Sequence, residues 1–249
     1  LEAFDLAKDH SLAAEAYVLT PLLRFLLLVA HQAVGRVRGV DNLAALTPET
    51  LASLVRERLA PYQERFDLFS PDFFLSPQGG LPGTATEKPL AYLRPDWPSG
   101  SSALLRIPKR ARGSLPPGEV ARNLLVFLAY HPGGLFGAKE AKSLEGGLLA
   151  RHLAFFALGK TLHQTLLLNL VDGEAPPPLW EAPVRAGEVE GYRARKSPKA
   201  LDRHLFPSYL FVLQEERGQV AGLTVVPGFR HAPGEPDPMM AHGSDGEPL

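Results

Sequence analysis

Residues 155–168 read FFALGKTLHQTLLL, and the fold turns on what Gly159-Lys160-Thr161 at its centre does. As the tail of a phosphate-binding loop it would open a nucleotide-binding α/β protein, with a strand before it and a helix after. Such a loop needs a glycine five positions before Gly159, so that backbone amides can wrap a phosphate. That position is Ala154. If the residues before Gly159 form a strand, the remaining turn is too tight to encircle anything; if they form a helix, their amides are already bonded. The three residues are therefore read as a turn and a cap. Thr161 caps a helix over TLHQTLLLNLV (161–171), and the preceding LLARHLAFFALG (148–159) is expected to be a buried strand.

Outward from this point the chain keeps mixing helical and short extended signals without regular alternation. In LTPETLASLVRERLAPYQERF (46–66), Thr47 can cap, Pro48 suits the first helical position and Glu49 favours the positive end. Leu51, Leu54, Val55, Leu59 and Tyr62 follow as an apolar stripe. LPPGEVARNLLVFLAYH (115–131) starts a helix at Pro117 with Val120, Leu124, Leu125 and Leu128 on one side. PSYLFVLQ and QVAGLTVVPG around EERG (215–218) predict a β-hairpin. Between Phe66 and Pro117 the chain is dense in Pro, Gly and Ser, yet aromatic enough to pack rather than remain disordered. The fold class these signals imply is α+β, not a doubly wound sheet.

Composition narrows the function. The chain has 249 residues, 45% hydrophobic, with formal net charge -1, so it can bury a large core and is not basic all over. It has no cysteine, which rules out disulfides and thiolate metal sites. The apolar run PLLRFLLLVAHQAVG (21–35) carries Arg24 and His31 and is short for a membrane span of roughly 20 residues. It reads as a buried helix, breaking or restarting at Pro21. The start at Leu1 and the turn-rich GEPDPMMAHGSDGEPL at the other end are read as the cut ends of a longer chain.

Enzyme signatures are sparse. No His-Glu-x-x-His, Gly-x-Ser-x-Gly or Asp-rich calcium loop occurs. The eight histidines show no ligand spacing, and His31, His152 and His163 sit in apolar stretches that suit core histidines. A catalytic reading would have to assemble distant residues such as His131, Asp202 and His204.

Two stretches carry a sharper signal. SALLRIPKRARGSLPPG (102–118) clusters Arg106, Lys109, Arg110 and Arg112 with no acid before Glu119. A solvated loop accounts for them, but clustered cations on a loop also suit phosphate contact with counterion release. HPGGLFGAKEAK (131–142) places Gly133, Gly134 and Gly137 beside Lys139 and Lys142. These glycines either form turns or let the backbone approach a groove. Both stretches flank the helix that starts at Pro117.

The order of several segments resembles one family. LLRFLLLVAHQAVG (22–35), PDFFLSPQG (71–79) and KPLAYLRPDWPSGSSALL (88–105) come first. GGLFGAKEAKSLEGGLLARHLAFFALGKTLHQTLLLNLV (133–171), PPLWEAP (177–183) and DPMMAH (237–242) follow. Together they are similar to the large subunit, CasA, of the type I-E CRISPR surveillance complex Cascade. The resemblance implies a non-enzyme without cofactor or metal. It implies that residues 1–249 form the family's N-terminal mixed α/β domain, with the C-terminal four-helix bundle largely absent. The partners it implies are the other Cascade subunits, the CRISPR guide RNA, target double-stranded DNA and the helicase-nuclease, in the cytoplasm and with no membrane. Residue by residue, Ala103, Leu104, Leu105 and Arg106 fall on the stretch that meets the guide-RNA 5′ handle. Ile107 to Pro117 fall on a mobile loop, and Gly133 to Lys139 on the glycine loop that probes the protospacer-adjacent motif. Two departures stand out: Arg106 replaces an asparagine common at the handle, and Leu135 and Phe136 interrupt a denser glycine run. A purely structural assembly subunit is the remaining non-enzyme reading.

Overall fold

The computed structural model describes residues 16–35, 43–93, 113–131, 133, 146–150, 154–171, 177–189, 194–196, 204–232, 237 and 239–240. Helix α1 (Ala16–Val34) is its central element. Leu23, Leu27 and Ala30 join Leu51, Leu166, Leu170 and Met239 in one apolar cluster. Leu28 and Val29 join the larger cluster on the other side. A helix buried on several sides needs apolar residues nearly all round, so α1 is apolar and long enough to cross a membrane by composition while serving here as a core helix. It contains Pro21 without interruption, contrary to the expected break. The hydrogen bond that proline cannot donate would go to Tyr17, in the exposed first turn, where its loss costs least.

Helix α2 (Pro48–Leu59) begins as the sequence predicts: the Thr47 side chain accepts from the Thr50 amide, Pro48 opens the helix and Leu51 is buried. It runs into a 3₁₀ segment (Ala60–Phe66). The Pro- and Gly-rich stretch that follows is largely irregular but packed. Phe73, Phe74 and Leu75 are buried, and Phe74 and Phe66 lie 6.0 and 5.5 Å from the fully buried ring of Trp180. That stretch supplies the short strand β1 (Thr86–Lys88) and a 3₁₀ turn (Leu90–Leu93).

Helix α3 (Pro117–Tyr130) buries Val120, Leu124 and Leu128 as expected, leaves Leu125 only partly buried, and also buries Val126 and Phe127, because it lies between α1 and the sheet. Helix α4 (Leu162–Asn169) is capped by Thr161, whose hydroxyl accepts from the Gln164 amide. After the short helix α5 (Ala186–Val189) come β2 (Ala194–Lys196), β3 (Tyr209–Glu216), β4 (Gln219–Pro227) and β5 (Arg230–Ala232). The hairpin β3–β4 is antiparallel, and β1 adds to the far edge of β4, giving the order β1-β4-β3. Arg217 (φ 55°) and Gly218 (φ 75°) form its tip, the two left-handed residues of a tight primed turn whose twist matches the strands. β2 and β5 pair in parallel. The fold is α+β.

A second expectation fails. Residues 148–159 do not form a buried strand in their described parts. Ala154 makes a single bridge to Met240, and Phe155 and Leu158 are 61% and 65% exposed. Beyond that bridge the Asn169 side chain substitutes for a partner strand, donating to the Ala157 carbonyl and accepting from its amide. A side-chain amide on α4 thus keeps the segment extended without a ladder.

Candidate nucleic-acid interface

The helix cap at Thr161 disposes of the phosphate-loop reading. The Gly159 amide donates to Thr165 Oγ1 at 3.0 Å and the Lys160 amide to Gln164 Oε1 at 2.9 Å. Both amides that would cradle a phosphate are occupied. A Cβ on Gly159 would lie 2.4 Å from that of Gln164, so close packing against α4 accounts for the glycine.

Of the residues singled out from the sequence, Ala103, Leu104, Leu105, Arg106, Lys109, Arg110 and Arg112 lie outside the described residues, as do Gly134, Gly137, Lys139 and Lys142. What the structure fixes is the flanks of both stretches, and they meet on α3. On one side Leu93 is fully buried and the neighbouring Tyr92 ring packs 5.1 Å from Phe127 of α3. Lys88 lies 5.4 Å over that same ring, and burial lowers its pKa. On the other side Leu115 exchanges two backbone hydrogen bonds of 2.9 Å with Val220 at the start of β4, one residue before α3 is capped by Pro116. Residues 94–112 therefore run between two points fixed on the same helix and sheet. An open groove of about 760 Å³, lined by Lys88, Gly113, Ser114 and Arg217 together with Glu87 and Glu216, lies at this base.

The glycine stretch is rooted at the other end of α3. Gly133 has φ 73°, a left-handed conformation that favours glycine, so at this position turn geometry alone accounts for the residue. Its amide donates to His131 Nδ1 at 3.2 Å. The chain returns at Gly147, whose amide donates to the His131 carbonyl at 2.8 Å; Leu149 then donates to the Ala129 carbonyl at 2.8 Å. These bonds satisfy carbonyls that the end of α3 would otherwise leave orphaned. A Cβ on Gly147 would fall 2.4 Å from both the Ala129 carbonyl carbon and oxygen, so only glycine fits. Sequence reading missed Gly147 and the part played by His131. The only signal was a His-Pro-Gly-Gly run directly after an apolar helix.

Among the described residues His31, His131, His163 and His204 do not converge on one site. His131 is buried, stacked on Phe127 at 5.2 Å and edge-on to Tyr209 at 4.3 Å, and burial lowers its pKa to about 3. His31 accepts from the Val171 amide through Nε2 at 3.1 Å; burial lowers it to about 4. His163, the third histidine read as part of the core, is only partly buried and bonds the Leu46 carbonyl at 2.8 Å; His152 lies outside the described residues. His204 is lowered to about 3, by burial first and by Arg24 next. It belongs to a different cluster, beside the buried ion pair of Arg24 with Asp237, where Arg24 Nη1 meets Asp237 Oδ1 at 3.2 Å and Nη2 meets Oδ2. Asp202 lies outside the described residues. Imidazoles with such low pKa values are weak bases at neutral pH. Among the described residues no group of three His, Asp or Glu side chains converges as a metal site.

Comparison with known proteins places this geometry. The family model for CRISPR-associated protein Cse1 matches residues 16–248. The CRISPR-associated protein CasA/Cse1 of Thermus thermophilus is 33% identical over 184 residues, covering 70% of this chain and 36% of that protein. The crystal structure of CasA from the same organism superposes with a TM-score of 0.74 at 27% identity, over 94% of this chain and 48% of that one. A chain of a CRISPR RNA-guided surveillance complex shares the fold, with a TM-score of 0.67 at 20% identity over 94% of this chain and 52% of that one. The chain thus spans about half the length of these solved relatives.

Proposed function

The chain belongs to the CRISPR-associated Cse1 family, and on that premise we propose that it is the N-terminal α+β domain of the large, non-catalytic subunit of an RNA-guided Cascade complex acting in antiviral defence in the cytoplasm. In this reading residues 103–106 contact the 5′ handle of the guide RNA, with Lys109, Arg110 and Arg112 supplying phosphate contacts beside them. The glycine stretch, with Gly133, Gly134, Gly137, Lys139 and Lys142, meets the protospacer-adjacent motif of target double-stranded DNA. The subunit also gives the helicase-nuclease a place to dock.

The observation that carries the reading is the extent of the family match, residues 16–248, which takes in both stretches and the helix they flank. The physics is compatible with it. Minor-groove readout is degenerate, so a short motif met by backbone and a few side chains gives modest specificity, and base pairing with the guide supplies the rest. A net charge of -1 makes a poor free DNA binder, but one subunit of an assembly needs only a local basic patch. The occupied amides at Gly159 and Lys160 favour this reading over a nucleotide-dependent enzyme.

The test uses the assembled complex. Gly134→Asp/Gly137→Asp should weaken binding to duplex carrying the motif far more than to a single-stranded target, which pairs with the guide and needs no groove probing. The effect should persist at raised salt, whereas Lys139→Ala should mainly reduce the salt slope. Unchanged duplex binding by a folded double variant would sink the assignment of the glycine stretch.

A further inference from the structure

We propose that His131 is the positioning residue of the glycine stretch, holding both of its feet on the end of α3 through one side-chain and one main-chain acceptor. The proposal rests on the reading of that stretch as the duplex-contacting element. The geometry behind it lies wholly in described residues.

His131 is the residue where α3 ends. Its own amide still bonds the Phe127 carbonyl, while its backbone has turned extended (φ -56°, ψ 139°). The outgoing strand of the loop is held by Nδ1, which accepts from Gly133 at 3.2 Å. The returning strand is held by the carbonyl, which accepts from Gly147 at 2.8 Å. Gly133 and Gly147, on either side of residues 134–146, therefore both bond to a single residue. The imidazole itself cannot swing, because Phe127 stacks on one face at 23° and Tyr209 meets it edge-on at 88°. Those rings in turn belong to the main core. The orientation of the loop base is thereby set by core packing rather than by the loop's own sequence.

Accepting through Nδ1 requires the neutral imidazole with its proton on Nε2, since a protonated Nδ1 is a donor facing a donor. Burial supports the neutral imidazole by lowering the pKa to about 3, and the Gly133 contact sets the tautomer. The anchor therefore stays closed at any pH at which a complex would search DNA. An anchor of this kind matters for probing because ordering a loop costs conformational entropy. Two feet fixed in advance leave less to lose when the stretch meets duplex, so discrimination between motif-bearing and motif-free DNA should depend on the base being fixed.

The experiment uses the complete subunit, alone and in the assembled complex. In the wild-type subunit, nitrogen NMR should report an unprotonated Nδ1 coupled to the Gly133 amide; a protonated Nδ1 overturns the proposal without any variant. His131→Phe keeps a ring between Phe127 and Tyr209 but has no acceptor, while His131→Asn keeps an acceptor near the Nδ1 position. In His131→Phe the Gly133 amide should exchange with solvent about five- to tenfold faster. Preference for motif-bearing duplex should fall about as much, with single-stranded target binding unchanged. His131→Asn should retain most of both. Wild-type exchange at Gly133 in a folded His131→Phe overturns the anchor, and lost protection with intact motif preference overturns its positioning role. If Gly134→Asp/Gly137→Asp leaves duplex binding intact while His131→Phe still loosens Gly133, it is the reading of the stretch that has failed and not the anchor.

Discussion

Lowering the pH from 6 to 5 should cost this chain about 3–4 kcal/mol of folding stability through three buried histidines. His31, His131 and His204 have ordinary pKa values near 6.5 in the unfolded chain and about 4, 3 and 3 in the fold, with burial as the leading cause each time. A group whose folded pKa is depressed in this direction binds its proton only on unfolding. Stability is therefore at its full value above about pH 7 and declines as pH falls through 6.5, until the folded sites themselves titrate between 4 and 3. Each such histidine removes about 1.36 kcal/mol per pH unit once the unfolded form is mostly protonated. Averaged between pH 6 and 5, the three take up somewhat under three protons, which gives the figure above. Asp237 does not compete in that window. Burial, the largest single influence, raises its pKa, but the Arg24 charge and hydrogen bond, His204 and the Met239 amide together outweigh it and hold the net pKa below the usual carboxylate value, so its contribution is lost only at lower pH. Against a typical domain stability of about 5–15 kcal/mol, the histidines decide the acid limit. The assay is urea unfolding of the full chain across a pH series, with the slope read as protons taken up. Replacing any one of the three with a non-titrating residue should lower the uptake by about one proton. An uptake below one between pH 6 and 5 would refute the reasoning.

Asp237→Asn should destabilise the chain by about 3–5 kcal/mol, because it leaves the Arg24 charge buried without its counterion; the thermal midpoint measures it, and a loss under 1 kcal/mol would mean that Arg24 reaches solvent. Gly228→Ala should be severely destabilising, since its Cβ would fall 2.0 Å from the Pro207 carbonyl oxygen, where the Gly228 and Phe229 amides donate to the Ser208 and Pro207 carbonyls; a soluble variant with an unchanged midpoint contradicts the close approach. Lys160→Ala should leave stability and target binding within about 0.5 kcal/mol of wild type, as expected of an exposed turn residue, and neither protein should bind ATP saturably in a titration.

What the sequence disclosed were features whose cause lies within a few residues. Thr47-Pro48-Glu49 and Thr161 announce their helices because capping is a contact with a neighbour three residues on. The EERG tip announces the hairpin because tight-turn chemistry fixes the register of both strands. What stayed hidden depends on exposure and packing that only the folded chain shows. Pro21 looks like a break until the exposed first turn of α1 is seen to absorb it. Residues 148–159 look like a buried strand until Asn169 is found bonding the chain from α4. His131 reads as either a loop residue or a member of a distant site, because its anchoring role needs Gly147 and the Tyr209 ring from β3, besides Phe127 of its own helix. The candidate interface was legible as composition, cations and glycines on either side of one helix, whereas its roots on Leu93, Leu115, His131 and Gly147 come only from tertiary packing.

The ion pair between Arg24 and Asp237 spans 213 residues of chain, and that distance sets a clock. During synthesis α1 emerges 213 residues before Asp237, carrying a guanidinium that is costly to bury without its carboxylate. At about 5–20 residues per second, the ribosome needs roughly 10–40 s to supply Asp237. Until then the apolar faces of α1 that bury Leu23, Leu27 and Leu28 cannot close around a neutralised charge. The hairpin β3–β4, by contrast, is complete within a few residues of its own turn. Helix α1 is thus made long before the carboxylate that lets it be sealed, and a nascent chain stalled before residue 237 displays a long apolar helix as a ready ligand for a chaperone.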